Sequence, residues 1–263
     1  MVPGEAVLWA KLSWPELEDL ASRPPHMAIW PLGTTEQHGR HLPTDVDVAN
    51  CWQVALGVSA RTGVPLLPAL PFGDSRFWEG WPGTLSLEPE TFVRLVLDVT
   101  DGIARTGFRR LLLLNGHVGN VPALAIAEGR IRQRHPELQV RALSWWDVSR
   151  RVIELVYADS IEGTLRSFHA NDGETSVYLT HAPELVRPDL AVDEPTDYRR
   201  PVFSYHSRKL TRSGVVGRPR AASAEKGRTI VEFAVEDLAE LIERGMGEQP
   251  AADVWGVRDS QGW

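Results

Sequence analysis

The run Leu111–Leu114, four leucines without a polar interruption, constrains this chain more than any other feature. A strand with one wet face would alternate apolar and polar residues. A continuous apolar run needs cover on both faces, as strands of parallel sheets have. Its flanks supply that cover. "EPETFVRLVLDVTDGIARTG" (88–107) carries acids in its first turn and ends on Gly107, the pattern of a helix. "VPALAIAEGRIRQRH" (121–135) is helical in spacing, and "LQVRALSWW" (138–146) reads as the next strand.

The same alternation runs through the rest of the chain. Ser13 and Glu16 form a capping box around Pro15 and open a first helix. "MAIWPLG" (27–33) reads as a short buried strand, and "VANCWQVALGVSART" (48–62) as a helix that stops before Gly63. "VPLLPAL" (64–70) is expected as a second strand, weakened at its end by Pro68 and Pro71. A further helix begins near residue 173, and 222–245 is a long C-terminal amphipathic helix. The expected class is α/β, a three-layer α/β/α arrangement with a mostly parallel central sheet, in one domain over 1–263. Segments 147–170 and 188–220 carry no readable pattern.

Charge and cysteine content narrow the function. The net charge is −7 with a pI near 5.6, and the clusters "RKLTR" (208–212) and "GRPR" (217–220) are short. An acidic surface repels phosphate backbones, so no nucleic-acid partner is expected. The single cysteine, Cys51, excludes an internal disulfide and a thiolate metal site, and it sits in an apolar stretch as a core residue. No leader-like or membrane-spanning run is present, so a cytoplasmic protein with no membrane partner is expected.

Polar residues collect where an open parallel sheet binds ligands, just past the carboxyl ends of strands. "GTTEQH" follows the strand at 27–32, and "NGHVGN" follows the strand at 110–114. Glu36 and His38 are two apart, on one side of an extended segment, and Asp45 and Asp47 share that spacing. With His117 they offer oxygen and imidazole donors without sulfur, a set suited to zinc or manganese. His41 reads as a hydrogen-bonded structural residue. A third cluster, "FHANDGETS" (168–176), adds His169, Asp172 and Glu174, and Asp172 is expected to cap the helix that follows. Trp145 and Trp146 stand at a strand end, where Trp146 is expected to wall a flat substrate pocket.

Four blocks in order carry a family resemblance. "PLGTTEQHGRHLPTDVD" (31–47), "WPGTLSL" (81–87), "LLLLNGHVGN" (111–120) and "HANDGETS" (169–176) resemble the creatininase family. Members are metal-dependent amidohydrolases with a three-layer α/β fold, commonly hexameric. The resemblance implies two divalent ions per subunit, Zn2+ and/or Mn2+ (or Fe2+). Glu36, His38 and His117 fall on ligand positions, and Asp47, eleven residues after Glu36, falls on the bridging acid. Asp45 is then an extra acid. Creatininase carries a Glu where this chain has Gly119, so Glu174 becomes the replacement ligand. His169 matches a proton-transfer histidine. Phe168 replaces an acid, which weakens creatinine itself as substrate; Arg40 also replaces a proline and Asn171 a glycine. The expected activity is hydrolysis of a non-peptide C–N bond in a small cyclic or linear amide. The alternatives are a mycofactocin-type precursor peptidase, a formamide deformylase, or a metal-binding protein without activity.

Overall fold

A computed structural model describes residues 4–158, 169–196 and 201–249. Three parallel strands form its sheet in the order β1 (Met27–Leu32), β2 (Arg110–Asn115), β3 (Gln139–Ser144). In register, Met27 lies opposite Arg110, and Arg110 opposite Gln139. All three strands therefore end at one edge of the sheet. The segment expected as a strand at 64–70 does run parallel to β1, but it makes only isolated bridges, Ile29 with Leu66 and Leu32 with Leu70. Pro65 and Pro68 have no N–H to give, which breaks a continuous ladder.

The leucine run is covered on both faces. Leu111 and Leu113, with Ala28, Trp30 and Leu32, pack on the layer of α1 (Trp14–Ser22), α3 (Pro89–Thr106) and α4 (Val121–Arg134). Leu112 and Leu114, with Ile29, face α2 (Val46–Thr62), α5 (Arg150–Val156), α6 (Asp172–Tyr178) and α7 (Ala224–Gly247). Burying each such leucine stabilises the fold by about 1.5–3 kcal/mol. This is the expected three-layer α/β/α arrangement. Cys51 is fully buried in the second layer, its thiol donating to the Leu114 carbonyl.

The patternless stretches hold short elements. Helix α5 starts inside 147–170, capped by Ser149, whose side chain accepts from the Val152 N–H. Residues 159–168 of that stretch, including Phe168, and 197–200 of the other lie outside the described residues. One capping expectation is corrected. Asn171, not Asp172, caps α6, its side-chain oxygen accepting the Glu174 N–H at 2.9 Å. Asp172 is the first helical residue and pairs with Lys226 of α7. Among the described residues no helix is long and apolar enough to cross a membrane.

Candidate metal centre

The carboxyl ends of β1 and β2 and the starts of α2 and α6 meet at one point. β1 runs out at Leu32, and the extended loop after it carries Glu36 and His38. Asp47 stands in the first turn of α2. β2 ends at Asn115, followed by Gly116 and His117. A Cβ at Gly116 would sit 2.2 Å from the Asp47 carbonyl oxygen, so only glycine lets the β2 end close on α2. Glu174 comes from the first turn of α6, and His169 from the segment before it.

Six expected site residues, Glu36, His38, Asp47, His117, His169 and Glu174, converge there, none more than 7% exposed. Their donor atoms form three overlapping groups: Glu36, Asp47 and His117; His38, Asp47 and Glu174; and Glu36, His38 and His169. Asp47 belongs to the first two. Its Oδ2 lies 3.0 Å from His117 Nδ1, and its Oδ1 lies 3.4 Å from His38 Nε2. Glu174 Oε1 is 3.9 Å from the same His38 nitrogen. Glu36 Oε2 is 3.5 Å from His117 Nε2, and its Oε1 is 3.3 Å from His169 Nδ1.

All three histidines are wired alike. His38 Nδ1 donates to the Glu36 carbonyl at 3.0 Å, His117 Nε2 to the Asp74 carbonyl at 3.0 Å, and His169 Nε2 to the Gln37 carbonyl at 2.7 Å. A carbonyl can only accept, so it assigns the proton to that nitrogen and turns the other toward the carboxylates. Metal-binding histidines are oriented in this way.

The charges inside this closed site oppose and support one another. Burial pushes Glu36 up to about 7 and Glu174 up to about 7, the neighbouring histidines only partly offsetting it. Burial also works against charge on His38 and His117. Asp47 and Glu174 outweigh it at His38, which rises to about 10. Glu36 and Asp47 do the same at His117, which rises to about 9. Asp47 would be raised by burial, yet His117 and His38 hold it well below the usual carboxylate range. Burial and the charge on His38 push His169 well below its ordinary value.

The donor set does not satisfy itself. Both Glu36 oxygens, Asp47 Oδ2, Glu174 Oε2 and His38 Nε2 are buried without a hydrogen-bond partner. Unpaired buried carboxylates cost several kcal/mol each, and a cation is what such atoms lack. The residues therefore fit divalent metal ions.

Gly119, where an acid might have been sought, has no space for a side chain. A Cβ there would lie 2.2 Å from the Asp74 carbonyl oxygen and 2.4 Å from His117 Nε2. Asp45 points elsewhere and accepts the Tyr178 hydroxyl at 2.9 Å. His41 is buried against the Thr175 hydroxyl at 3.0 Å. Trp146 is 3% exposed and lies in the hydrophobic layer of α2, α5 and α7, edge-on to Trp145. Sequence reasoning missed Trp78, which stacks on His169 with ring centroids 3.9 Å apart. It also missed Gln37, whose side chain accepts from Gly39 N–H and donates to the Gly214 carbonyl. Gln37 lies between two singled-out residues, a signal that was available; Trp78 offered none beyond its loop.

Known proteins resemble this chain along most of its length. A family model described as creatininase, creatinine amidohydrolase, matches residues 10–242. A creatinine amidohydrolase of Pseudomonas putida is 33% identical over 254 residues, covering 90% of this chain and 96% of its own. A mycofactocin precursor peptide peptidase of Mycobacterium tuberculosis is 31% identical over 246 residues, covering 86% of this chain and 88% of its own. Two solved creatininases, a mutant of Zn-Zn type and a Mn form, each match with a TM-score of 0.80 and 30% identity. Each covers 93% of this chain and 100% of its own.

Proposed function

The chain belongs to the creatininase family, and from that premise we propose that it is a metal-dependent hydrolase of small amides. It cleaves a non-peptide C–N bond in a cyclic or linear substrate. The observation that carries this reading is the set of buried, unpartnered carboxylate and imidazole atoms gathered around Asp47. Glu36, Asp47 and His117 would hold one divalent ion, and His38, Asp47 and Glu174 the other, with Asp47 bridging. Zn2+ and Mn2+ are the first candidates, in line with the Zn-Zn and Mn creatininases, and Fe2+ is the third.

When bound, such ions polarise an amide carbonyl and lower the pKa of a water toward about 7. The chain's own part is to place and move protons. His169 keeps its Nε2 proton on the Gln37 carbonyl, so Nδ1 is the nitrogen that takes up a proton within the site. From there it is placed to hand the proton to the leaving nitrogen. Trp78 holds the ring in plane, while Trp146, packed in the core, is left without a substrate role.

The protein is further proposed to work in the cytoplasm as one catalytic unit per chain. By family analogy it assembles as a homohexamer, with a small-molecule amide as its partner. A second reading, a peptidase of the mycofactocin type, is favoured by the comparable identity to the M. tuberculosis relative. Metal analysis and a substrate screen decide. Purified protein should retain close to two divalent ions per chain and hydrolyse members of a panel of lactams, hydantoins and formamides. Cleavage of short peptides alone would transfer the assignment to the second reading. Failure to bind Zn2+ or Mn2+ would end both.

A further inference from the structure

His117 is held at both ends. Asn115 holds its main chain, accepting the His117 N–H at 3.1 Å and donating to the His117 carbonyl at 2.7 Å. Its ring is held by the Asp74 carbonyl, 3.0 Å from Nε2. That carbonyl sits in a loop, residues 71–75, whose bridge of Gly73 with Ser86 and bond from Ser75 N–H to Ser86 Oγ flank Asp74 without engaging its own N–H or carbonyl oxygen. Something else has to hold the residue itself.

Asn120, the second asparagine of "NGHVGN", does so. Its Oδ1 accepts the Asp74 N–H at 2.9 Å. Its Nδ2 donates to Asn115 Oδ1 at 3.2 Å and to the Gly33 carbonyl at 3.3 Å. The side chain is fully buried, and its hydrogen bonds tie the loop at 74 to the ends of β1 and β2. The Asp74 side chain is turned away, forked to Arg76 at 2.9 and 3.0 Å, so only the carbonyl faces His117. The fit is tight: a Cβ on Gly73 would lie 2.2 Å from Asn120 Oδ1.

We propose that Asn120 is a positioning residue for His117, acting through the Asp74 main-chain carbonyl to hold the ring as its Nε2–H tautomer with Nδ1 turned to Asp47. The proposal rests on the two-metal reading above. Asn120 hydrogen-bonds to Asp74, Gly33 and Asn115 rather than to any of the six converging side chains, so it reaches them through this relay and the Asn115 clasp. Its removal should therefore act on the position served by His117 and spare the one served by His38 and Glu174. Partners of this kind are worth about 10–100-fold in metal affinity.

The test uses the full chain, stripped of metal and titrated with Co2+, read by visible absorption and by metal analysis. Asn120→Ala should weaken one of two binding steps about 10–100-fold and leave the other within error. Gly73→Ala, which presses a methyl on Asn120 Oδ1, should give the same selective loss by an independent route. Long-range 1H–15N spectra of the Zn2+-loaded wild type should show His117 protonated at Nε2, a readout that needs no variant to fold. Two unchanged steps in Asn120→Ala, or equal weakening of both, overturn the proposal, as does a His117 protonated at Nδ1. Wild-type protein that takes up fewer than two ions would overturn the two-metal reading itself, and is distinguished by that first titration.

Discussion

Trp78 lies flat against His169, with ring centroids 3.9 Å apart and planes inclined by 22°. His38 is the second ring beside it, with centroids 4.3 Å apart. An imidazole with one nitrogen on a carbonyl can still pivot about that bond, and the indole plate removes this freedom. Trp78→Leu should then lower kcat by about tenfold or more, because misplacing a proton carrier by an ångström costs that much. Metal content should stay at the wild-type level, since Trp78 contacts His169 rather than the Asp47 groups. Steady-state kinetics beside metal analysis checks it; lost metal would assign Trp78 to the metal centre instead.

Glu174 is the ligand whose assignment departs furthest from the motif, and it has a direct test. Its Oε1 faces His38 Nε2 at 3.9 Å while Oε2 has no partner. Glu174→Gln keeps the shape and removes the charge. Metal content should fall from about two ions per chain to about one, because the Glu36, Asp47 and His117 group is untouched. Unchanged content in the variant, measured after dialysis, would remove Glu174 from the ligand set.

How much of this was readable from the chain follows from what each role depends on. Glu36 and His38 were legible because a two-residue spacing in an extended loop is a local property. His117 was legible because it follows an apolar strand at the sheet edge where ligands bind. The layers were legible because Leu111–Leu114 cannot be half-exposed. Asn120 and Trp78 were not, since their roles lie in contacts with a distant main-chain carbonyl and a distant ring. The α6 cap was misread by one residue because Asn171 and Asp172 are both good caps. Only the fold gives Asp172 a competing partner in Lys226. The ladder at 64–70 was overread because Pro65, at the start of the run, lacks an N–H as well as the Pro68 already counted against its end.

Asp45 and Asp47 are two residues apart and do different work. Asp45 accepts the Tyr178 hydroxyl at 2.9 Å, tying the start of α2 to α6. Asp47 faces both His38 and His117. Asp45→Asn keeps an oxygen acceptor for the Tyr178 hydroxyl but loses its charge, and should cost about 1 kcal/mol of stability or less, with metal retained. Asp47→Asn should release both ions. Thermal melts and metal analysis of the two variants side by side settle the register, and equal metal loss would refute the choice of Asp47.

Glu194 gives a pH-dependent prediction away from the metal centre. Its carboxylate accepts the Arg212 N–H at 2.8 Å, the Ser213 N–H at 2.9 Å and the Thr211 hydroxyl at 2.8 Å. Burial would raise its pKa, but the Ser213 hydroxyl and these donors lower it below the ordinary 4.5. A depressed carboxylate contributes stability that is present above its unfolded pKa and lost as pH falls through the folded one. The residue is half-buried, so the contribution is screened to on the order of 1 kcal/mol or less. Wild type should exceed Glu194→Gln in stability at pH 7, and the gap should close below about pH 4. Urea unfolding of both chelated proteins at the two pH values measures it; a gap that widens with acid would reverse the sign.

Restoring an acid at Gly119 should fail, for a reason of space. The site of the missing Cβ lies 2.2 Å from the Asp74 carbonyl oxygen and 2.4 Å from His117 Nε2. Neither is the free end of a flexible side chain: one is main chain, and the other is the ring nitrogen that this carbonyl holds. Gly119→Glu must push the two apart, at a cost of about 1–3 kcal/mol or more. The melting temperature should fall by several degrees at the roughly 2–4 °C per kcal/mol typical of larger domains. The displaced carbonyl also releases the His117 ring, so metal affinity should drop rather than rise. Combining Gly119→Glu with Glu174→Gln makes the test decisive. If Glu174 supplies the ligand in this fold, the double variant should bind less metal than Glu174→Gln alone; recovery of the second ion would show that the loop can open to admit an acid at 119.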